Sequence, residues 1–140
     1  MKIETLNRWR QLLKDRDARG LDALLSDQVV FHSPVVRAPQ QGKALTRRYL
    51  GAALSVFLND SFRYVRELVG EHDAVLEFEV IIDGIEVNGV DMIRWDEQGR
   101  IVDFKVMLRP LKAIQLIQQK MAAMLDAASA AAAPGSTPDH

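Results

Sequence analysis

Four strand-like segments follow one another between residues 62 and 108, and they constrain the fold more than any other feature. They cover about 62–69, 74–82, 85–95 and 101–108. Apolar and polar residues alternate along the last three segments, which is typical of strands with one buried face. The turns between the segments carry hairpin signals such as Asp83-Gly84. The sequence therefore predicts a long antiparallel meander.

Helical spacing of apolar residues accounts for most of the remaining sequence. It predicts a first helix from Ile3 that ends near 17–20, a short helix over 21–25, a third over about 43–58 and a last helix from Pro110. A short strand over 29–33 must break at Pro34, because proline cannot continue a paired strand. This order indicates an α+β fold, in which a cone-shaped, curved antiparallel sheet wraps on the N-terminal helices and forms a cup.

Length and composition favour a single domain. The chain has 140 residues, of which 48% are hydrophobic, and this is enough to bury a core. We expect one domain over residues 1–126. The tail over 127–140 is rich in alanine and then in proline, glycine and serine, so we expect it to be disordered.

Charge and cysteine content exclude several classes of partner. Lys and Arg total 18 against 19 Asp and Glu, and the two signs are interleaved. Without a basic stripe we expect no nucleic-acid partner. Without cysteine or paired histidines we expect no metal and no cofactor. No apolar run approaches the roughly 20 residues that cross a bilayer, and the charged N-terminus is unlike a signal peptide, so we expect a cytoplasmic protein without membrane contact.

Asp91 is a carboxylate inside a strand that otherwise reads as core. In the segment 87–95 it shares a face with Ile93 and Trp95, the bulkiest apolar pair. A buried carboxylate stays protonated, finds a donor or lines a ligand cavity. Two interpretations follow: a structural aspartate bonded to nearby backbone, or the polar anchor of an apolar pocket.

Three stretches carry a resemblance to a known family. They are 22–34, which includes LLSDQVVFHSP, then Gly42 before the third helix, and the hairpin 90–102 with VDMIRW and GRIV. In this arrangement the chain resembles the nuclear transport factor 2-like superfamily, with its SnoaL-like polyketide cyclases and ketosteroid isomerases, over about 3–126. The superfamily includes isomerases, cyclases, hydrolases, dehydratases and binding domains, so the resemblance implies a cup-shaped fold more specifically than an activity.

Comparison with ketosteroid isomerases separates their chemistry into three parts. The resemblance places Asp91 at the position of their oxyanion-binding aspartate, Trp9 at that of a tyrosine, and Ser33, before Pro34, at that of the aspartate base. A serine hydroxyl is too weakly basic to abstract a proton from carbon unaided. We therefore expect an apolar pocket with Asp91 at its end, and no steroid isomerisation by that mechanism.

Strand parity and the resemblance together give a set of candidate ligand-binding residues, which consists of Asp91 and the residues that should face it. The set is Trp9, Phe31, Ser33, Tyr49, Phe78, Asp91, Trp95, Phe104 and Val106. Most apolar members can equally be plain core residues.

His32 is the other candidate catalytic residue, beside Asp91. Its imidazole could act as a base where Ser33 cannot. In a regular strand, however, His32 points away from Ser33, and only a bulge before Pro34 would turn it into the cup. We predict the regular strand and a structural role for His32.

Three functions remain open. The chain could be a binding module for a small, mostly apolar molecule, with Asp91 as its polar anchor. It could be a SnoaL-like isomerase, cyclase or hydrolase that uses Asp91 with His32 or a water. It could be an assembly domain, because the outer sheet face mixes charged and apolar residues in a way that suits a homodimer.

Overall fold

The computed structural model describes residues 2–132 of the chain, and it describes side chains for residues 4–127. The helices are α1 (Lys2–Asp15), α2 (Leu21–Leu24), α3 (Lys43–Phe57) and α4 (Leu111–Ala132), with a 3₁₀ turn at Ala18–Gly20. The strands are β1 (Leu25–His32), β2 (Gln40–Gln41), β3 (Arg63–Val69), β4 (Asp73–Ile82), β5 (Ile85–Trp95) and β6 (Ile101–Arg109). Every predicted helix and strand is present, and the unpredicted β2 lies in the loop that follows Pro34.

The strands form one six-stranded sheet in the order β2-β1-β6-β5-β4-β3. The antiparallel meander from β3 to β6 is confirmed. β1 lies parallel to β6, so the sheet is mixed and not wholly antiparallel. The α+β class, with N-terminal helices against a curved, unclosed sheet, is confirmed.

One face of the sheet is buried against the helices. In β5 every second residue from Val87 to Trp95 is buried, as period 2 predicts, and Asp91 is among them. The parallel pairing brings Phe31 of β1 beside Phe104 of β6. Trp9 enters from α1, where it is 1% exposed, and its ring meets Phe104 edge-on at 5.0 Å. The helices and the concave side of the sheet thus share one core.

Gly89 makes room for this core at the middle of the sheet. It pairs with Phe78 of β4 on one side and with Leu108 of β6 on the other. A Cβ at this position would lie 2.5 Å from Phe78 Cζ, 2.7 Å from Leu108 Cδ2 and 2.9 Å from the Met107 carbonyl oxygen. The ring of Phe78 therefore occupies the space that any larger residue at position 89 would need.

The C-terminal helix is longer than the sequence predicted. α4 continues to Ala132, into the stretch expected to be disordered, because alanine has the highest helix propensity of all residues. The rest of that stretch, 133–140, lies outside the described residues. None of the helices described between residues 2 and 132 is both long and apolar enough to cross a membrane.

Candidate functional site

A cavity of about 30 Å³ lies between α1, α3 and the concave face of the sheet. Its walls are almost wholly apolar. They are formed by Trp9, Leu13, Leu50, Ala53, Leu54, Phe57, Leu58, Phe62, Tyr64, Phe78, Asp91, Phe104 and Val106. A volume of this size holds about two water molecules at most, since a single one needs roughly 10–15 Å³.

Asp91 is the acidic group of this wall. It lies at the middle of β5 between Leu76 of β4 and Val106 of β6, and only 6% of it is exposed. The pleat of β5 gives Asp91 its direction, because Ile93 and Trp95 are buried on the same face. The strand itself therefore holds a carboxyl group inside apolar surroundings.

The partner of Asp91 is Tyr64, a residue that the sequence did not single out. The Tyr64 hydroxyl donates a hydrogen bond to Asp91 Oδ2 at 2.5 Å. The indole Nε1–H of Trp9 donates in turn to the Tyr64 hydroxyl oxygen at 3.0 Å. Trp9, Tyr64 and Asp91 thus form a relay of side chains from α1, β3 and β5. The alternative of a structural aspartate bonded to nearby backbone is not what the geometry shows.

Burial sets the electrostatics of the relay. Removal from water raises the pKa of Asp91 from 3.8 to about 7, and the hydrogen bond from Tyr64 only partly opposes this shift. Burial also raises the pKa of Tyr64 well above its ordinary value, with a further contribution from the nearby Asp91 carboxyl group. Tyr64 is therefore a neutral donor near neutral pH, and Asp91 can exchange a proton there.

A signal for Tyr64 was present in the sequence. Phe62 and Tyr64 are two residues apart, so they share one face of an extended segment. Tyr64 pairs with Phe78, and the register of β3 against β4 then shifts between Tyr64 and Arg66. Because this bulge changes which side chains face inward, simple alternation along 62–69 would have failed beyond Tyr64.

The structure brings five of the candidate ligand-binding residues to the cavity wall: Trp9, Phe78, Asp91, Phe104 and Val106. The other four, Phe31, Ser33, Tyr49 and Trp95, lie outside it. Phe31 is fully buried behind Phe104, and the centroids of the two rings are 6.0 Å apart. The Ser33 hydroxyl accepts a hydrogen bond from the Val35 backbone N–H at 3.2 Å, so it completes a turn.

His32 lies on the other face of the sheet from the cavity. Its Nε2 is 3.0 Å from Asp103 Oδ1 on the neighbouring β6. Asp103 precedes the buried Phe104, so its side chain points away from the core. The imidazole and Asp91 are thus on opposite faces, as the regular-strand alternative requires.

A second, wider space adjoins the cavity and forms its mouth. It has a volume of about 480 Å³ and shares Leu13, Leu58 and Phe62 with the cavity. Arg16 and Asp60 line it and form an ion pair, with Nη2 2.7 Å from Oδ1. Phe62 lines both spaces, and its ring stacks on that of Phe78 with the centroids 5.2 Å apart.

Comparison with known proteins agrees with the fold. The family model described as "SnoaL-like domain" matches residues 6–104. A solved structure described as a steroid delta-isomerase from Pseudomonas aeruginosa has a TM-score of 0.86 and 38% identity, over 92% of this chain and 94% of that one. A search of curated proteins found no match.

Two further structures extend this comparison. One is an uncharacterised protein with a cystatin-like fold from Silicibacter pomeroyi, with a TM-score of 0.78, 31% identity, and coverage of 85% of this chain and 83% of that one. The other is described as a putative isomerase from Bacillus subtilis. It has a TM-score of 0.61 and 20% identity over 79% of this chain and 87% of that one, and it shows likeness of fold alone.

Proposed function

Since the chain belongs to the SnoaL-like domain family, of nuclear transport factor 2-like fold, we propose that it binds a small, mostly apolar molecule in the cavity at Asp91. One observation carries this proposal. Among the described residues, Asp91 and Tyr64 are the only titratable groups in an otherwise apolar wall. Apolar walls with few convergent polar groups are typical of small-molecule sites.

The same wall argues against proton transfer of the ketosteroid isomerase type. That chemistry needs a base beside the oxyanion donors. Ser33, at the position that the family resemblance gives to the base, hydrogen-bonds within its own turn and does not line the cavity. His32 bonds Asp103 on the other face of the sheet. We therefore propose that the site binds its ligand without isomerising it.

The ligand must enlarge the cavity as it enters. About 30 Å³ is far less than the 300–1,000 Å³ of ordinary ligand pockets. Phe62 lines both the cavity and its wider mouth and is only partly buried. We therefore expect the ring of Phe62 to move when a ligand binds.

A second candidate function is catalysis by Asp91 alone. The 38% identity to a protein described as a steroid delta-isomerase favours it. A carboxyl group with a pKa of about 7 is well matched to acid–base work near neutral pH. With His32 on the opposite face, Asp91 would have to serve as acid and base in turn, with a water as its partner.

Filling the cavity tests the binding proposal. Ala53 lines the cavity from α3, so Ala53→Leu places a larger side chain in it. We expect ethylbenzene to bind the wild type in calorimetric titration and to bind this variant about tenfold or more weakly, because the volume is taken. Ala122→Leu, on the exposed side of α4, is the matched control and should bind as the wild type does.

Two results would count against the proposal. The first is ethylbenzene affinity that does not change between the two variants. The second is turnover of a β,γ-unsaturated ketosteroid, followed by absorbance of the conjugated product, well above the uncatalysed rate. The second result would favour catalysis by Asp91 instead.

The outer face of the sheet leads us to a further proposal, a homodimer formed by two copies of this face. Met107 and Leu68 are 50% and 63% exposed there. Ion pairs Arg66–Glu77 and Arg63–Glu79 put both signs of charge beside them. A face with apolar residues and balanced charges can pair with a second copy about a two-fold axis, and its balance of charge favours a second copy over a partner of one charge.

Introducing a charge into the apolar part of this face tests the dimer. Met107→Glu would bury one carboxylate from each copy in the interface, which costs several kcal/mol. We expect sedimentation at micromolar concentration to give a dimer for the wild type and a monomer for this variant. Leu111→Glu, at a position on α4 that is 69% exposed, should remain dimeric. A monomeric wild type would exclude this interface.

A further inference from the structure

The hydrogen bonds around Asp91 run in one direction, and this direction decides which polar group a ligand can offer. An indole nitrogen can only donate, so the Tyr64 hydroxyl oxygen accepts from Trp9. The single hydroxyl proton of Tyr64 is then used on Asp91 Oδ2. In this arrangement the Asp91 carboxyl group is the acceptor at the end of the relay. Tyr64 has no second proton to offer to a ligand.

The walls around this carboxyl group are aromatic and lack a positive charge. The aromatic side chains are Trp9, Phe57, Phe62, Tyr64, Phe78 and Phe104. Among the described residues that line the cavity none is basic. Arg10 of α1 pairs with Glu67, and Arg16 at the mouth pairs with Asp60. The carboxyl group therefore has no cationic partner of its own within the cavity.

We infer that the polar group of the ligand is an amine, whose ammonium nitrogen donates to the Asp91 carboxylate while its apolar part packs on the aromatic rings. Ring faces attract cations, most strongly where water is excluded. The hydrogen bond from Tyr64 stabilises the ionised carboxylate that such a ligand requires. A ketone, in contrast, needs a donor, and the relay supplies none unless Asp91 itself carries the proton.

This inference rests on the proposed function and adds the chemical class of the ligand. It also accounts for a carboxyl group held where burial raises its pKa to about 7. An ammonium group supplies the positive partner that offsets the cost of keeping that carboxyl ionised inside the core. The apolar wall then selects amines with a hydrocarbon body over small hydrophilic ones.

Three probes with one carbon skeleton test the inference. They are 1-phenylethylamine, acetophenone and ethylbenzene, which present an ammonium, a carbonyl and no polar group, and each is titrated calorimetrically into the full chain near neutral pH. We expect the amine to bind at least about tenfold more tightly than either other probe, the usual scale of a charged hydrogen bond. Asp91→Asn should abolish this preference and leave ethylbenzene binding within about twofold. Glu97→Gln removes the same charge from an exposed position, so it should change none of the three affinities.

The outcomes separate the inference from the function on which it rests. Tighter binding of acetophenone, or equal binding of all three probes, would overturn the amine and leave the apolar binding site standing. No binding of any probe would overturn both. The ranking of the three probes is measured on the wild type alone. It therefore tests the inference even if the Asp91→Asn variant folds poorly.

Discussion

The free energy of unfolding of Asp91→Asn, measured relative to the wild type, is expected to rise by ~3 kcal/mol between about pH 5 and about pH 8. The folded pKa of about 7 lies above the ordinary value of 3.8. The folded chain therefore holds this proton more tightly, and its stability falls as the pH rises between these two values. Above about pH 7 the wild type bears the full cost of burying an ionised carboxylate, since Asp91 is then ionised in both the folded and the unfolded state. Asparagine has no such cost at any pH.

Chemical denaturation of both proteins at the two pH values measures this difference. The carbonyl of the introduced asparagine can still accept from Tyr64, while its amide protons must find partners, so the variant carries a constant penalty of about 1–3 kcal/mol. A constant penalty cancels between the two pH values. Glu97→Gln, in the exposed turn after β5, should follow the wild type throughout. A destabilisation of Asp91→Asn that is equal at both pH values would show that Asp91 is not held with a raised pKa.

Gly89→Ala should give the largest loss of stability for the smallest chemical change, about 2–3 kcal/mol and a melting temperature lower by several degrees. The added methyl group would overlap Phe78 Cζ at 2.5 Å and Leu108 Cδ2 at 2.7 Å. Side chains can adjust, but the Met107 carbonyl oxygen at 2.9 Å belongs to the backbone of a paired strand. Relief therefore requires movement of β6 itself.

The same substitution elsewhere provides the control. Gly51 lies inside α3, and a Cβ there would meet only the Ala18 Cβ, at an ordinary 3.8 Å. Gly51→Ala should therefore stabilise the protein by about 0.5–1 kcal/mol, because the unfolded chain loses freedom. Thermal unfolding followed by circular dichroism should shift in opposite directions for the two variants. A Gly89→Ala protein as stable as the wild type would contradict the packing described around Phe78.

Features with a clear period could be predicted from the sequence, and features that depend on irregular backbone or distant pairing could not. Alternation along β5 put Asp91 on the face of Ile93 and Trp95, and the structure agrees. The parallel contact of β1 with β6 is invisible to local pattern, since α3 and three strands of the meander separate the two in the sequence. Trp9 was predicted to be a ligand-binding residue, and it lines the cavity, but its hydrogen bond to Tyr64 joins α1 to the distant β3 and has no local pattern.

The phenol at the site shows why comparison by position has limits. The sequence has tryptophan where ketosteroid isomerases have a tyrosine on the first helix, and this suggested that the phenol was lost. A phenol is nevertheless present, because Tyr64 reaches Asp91 from β3, past Phe78. A tyrosine from a different element of the fold can therefore donate to this carboxyl group. The pairing of β3 with β4 brings it there.

The location of Tyr64 on β3 also links the chemistry of Asp91 to motion. β3 pairs with β4 on one side and ends the sheet on the other, and most of its residues are exposed. Edge strands fray at lower free-energy cost than central ones. Fraying of β3 near Tyr64 would remove the hydrogen-bond donor of the carboxyl group and one wall of the cavity together. Water would then reach Asp91, so the proton affinity of this buried group is coupled to the opening of an edge strand.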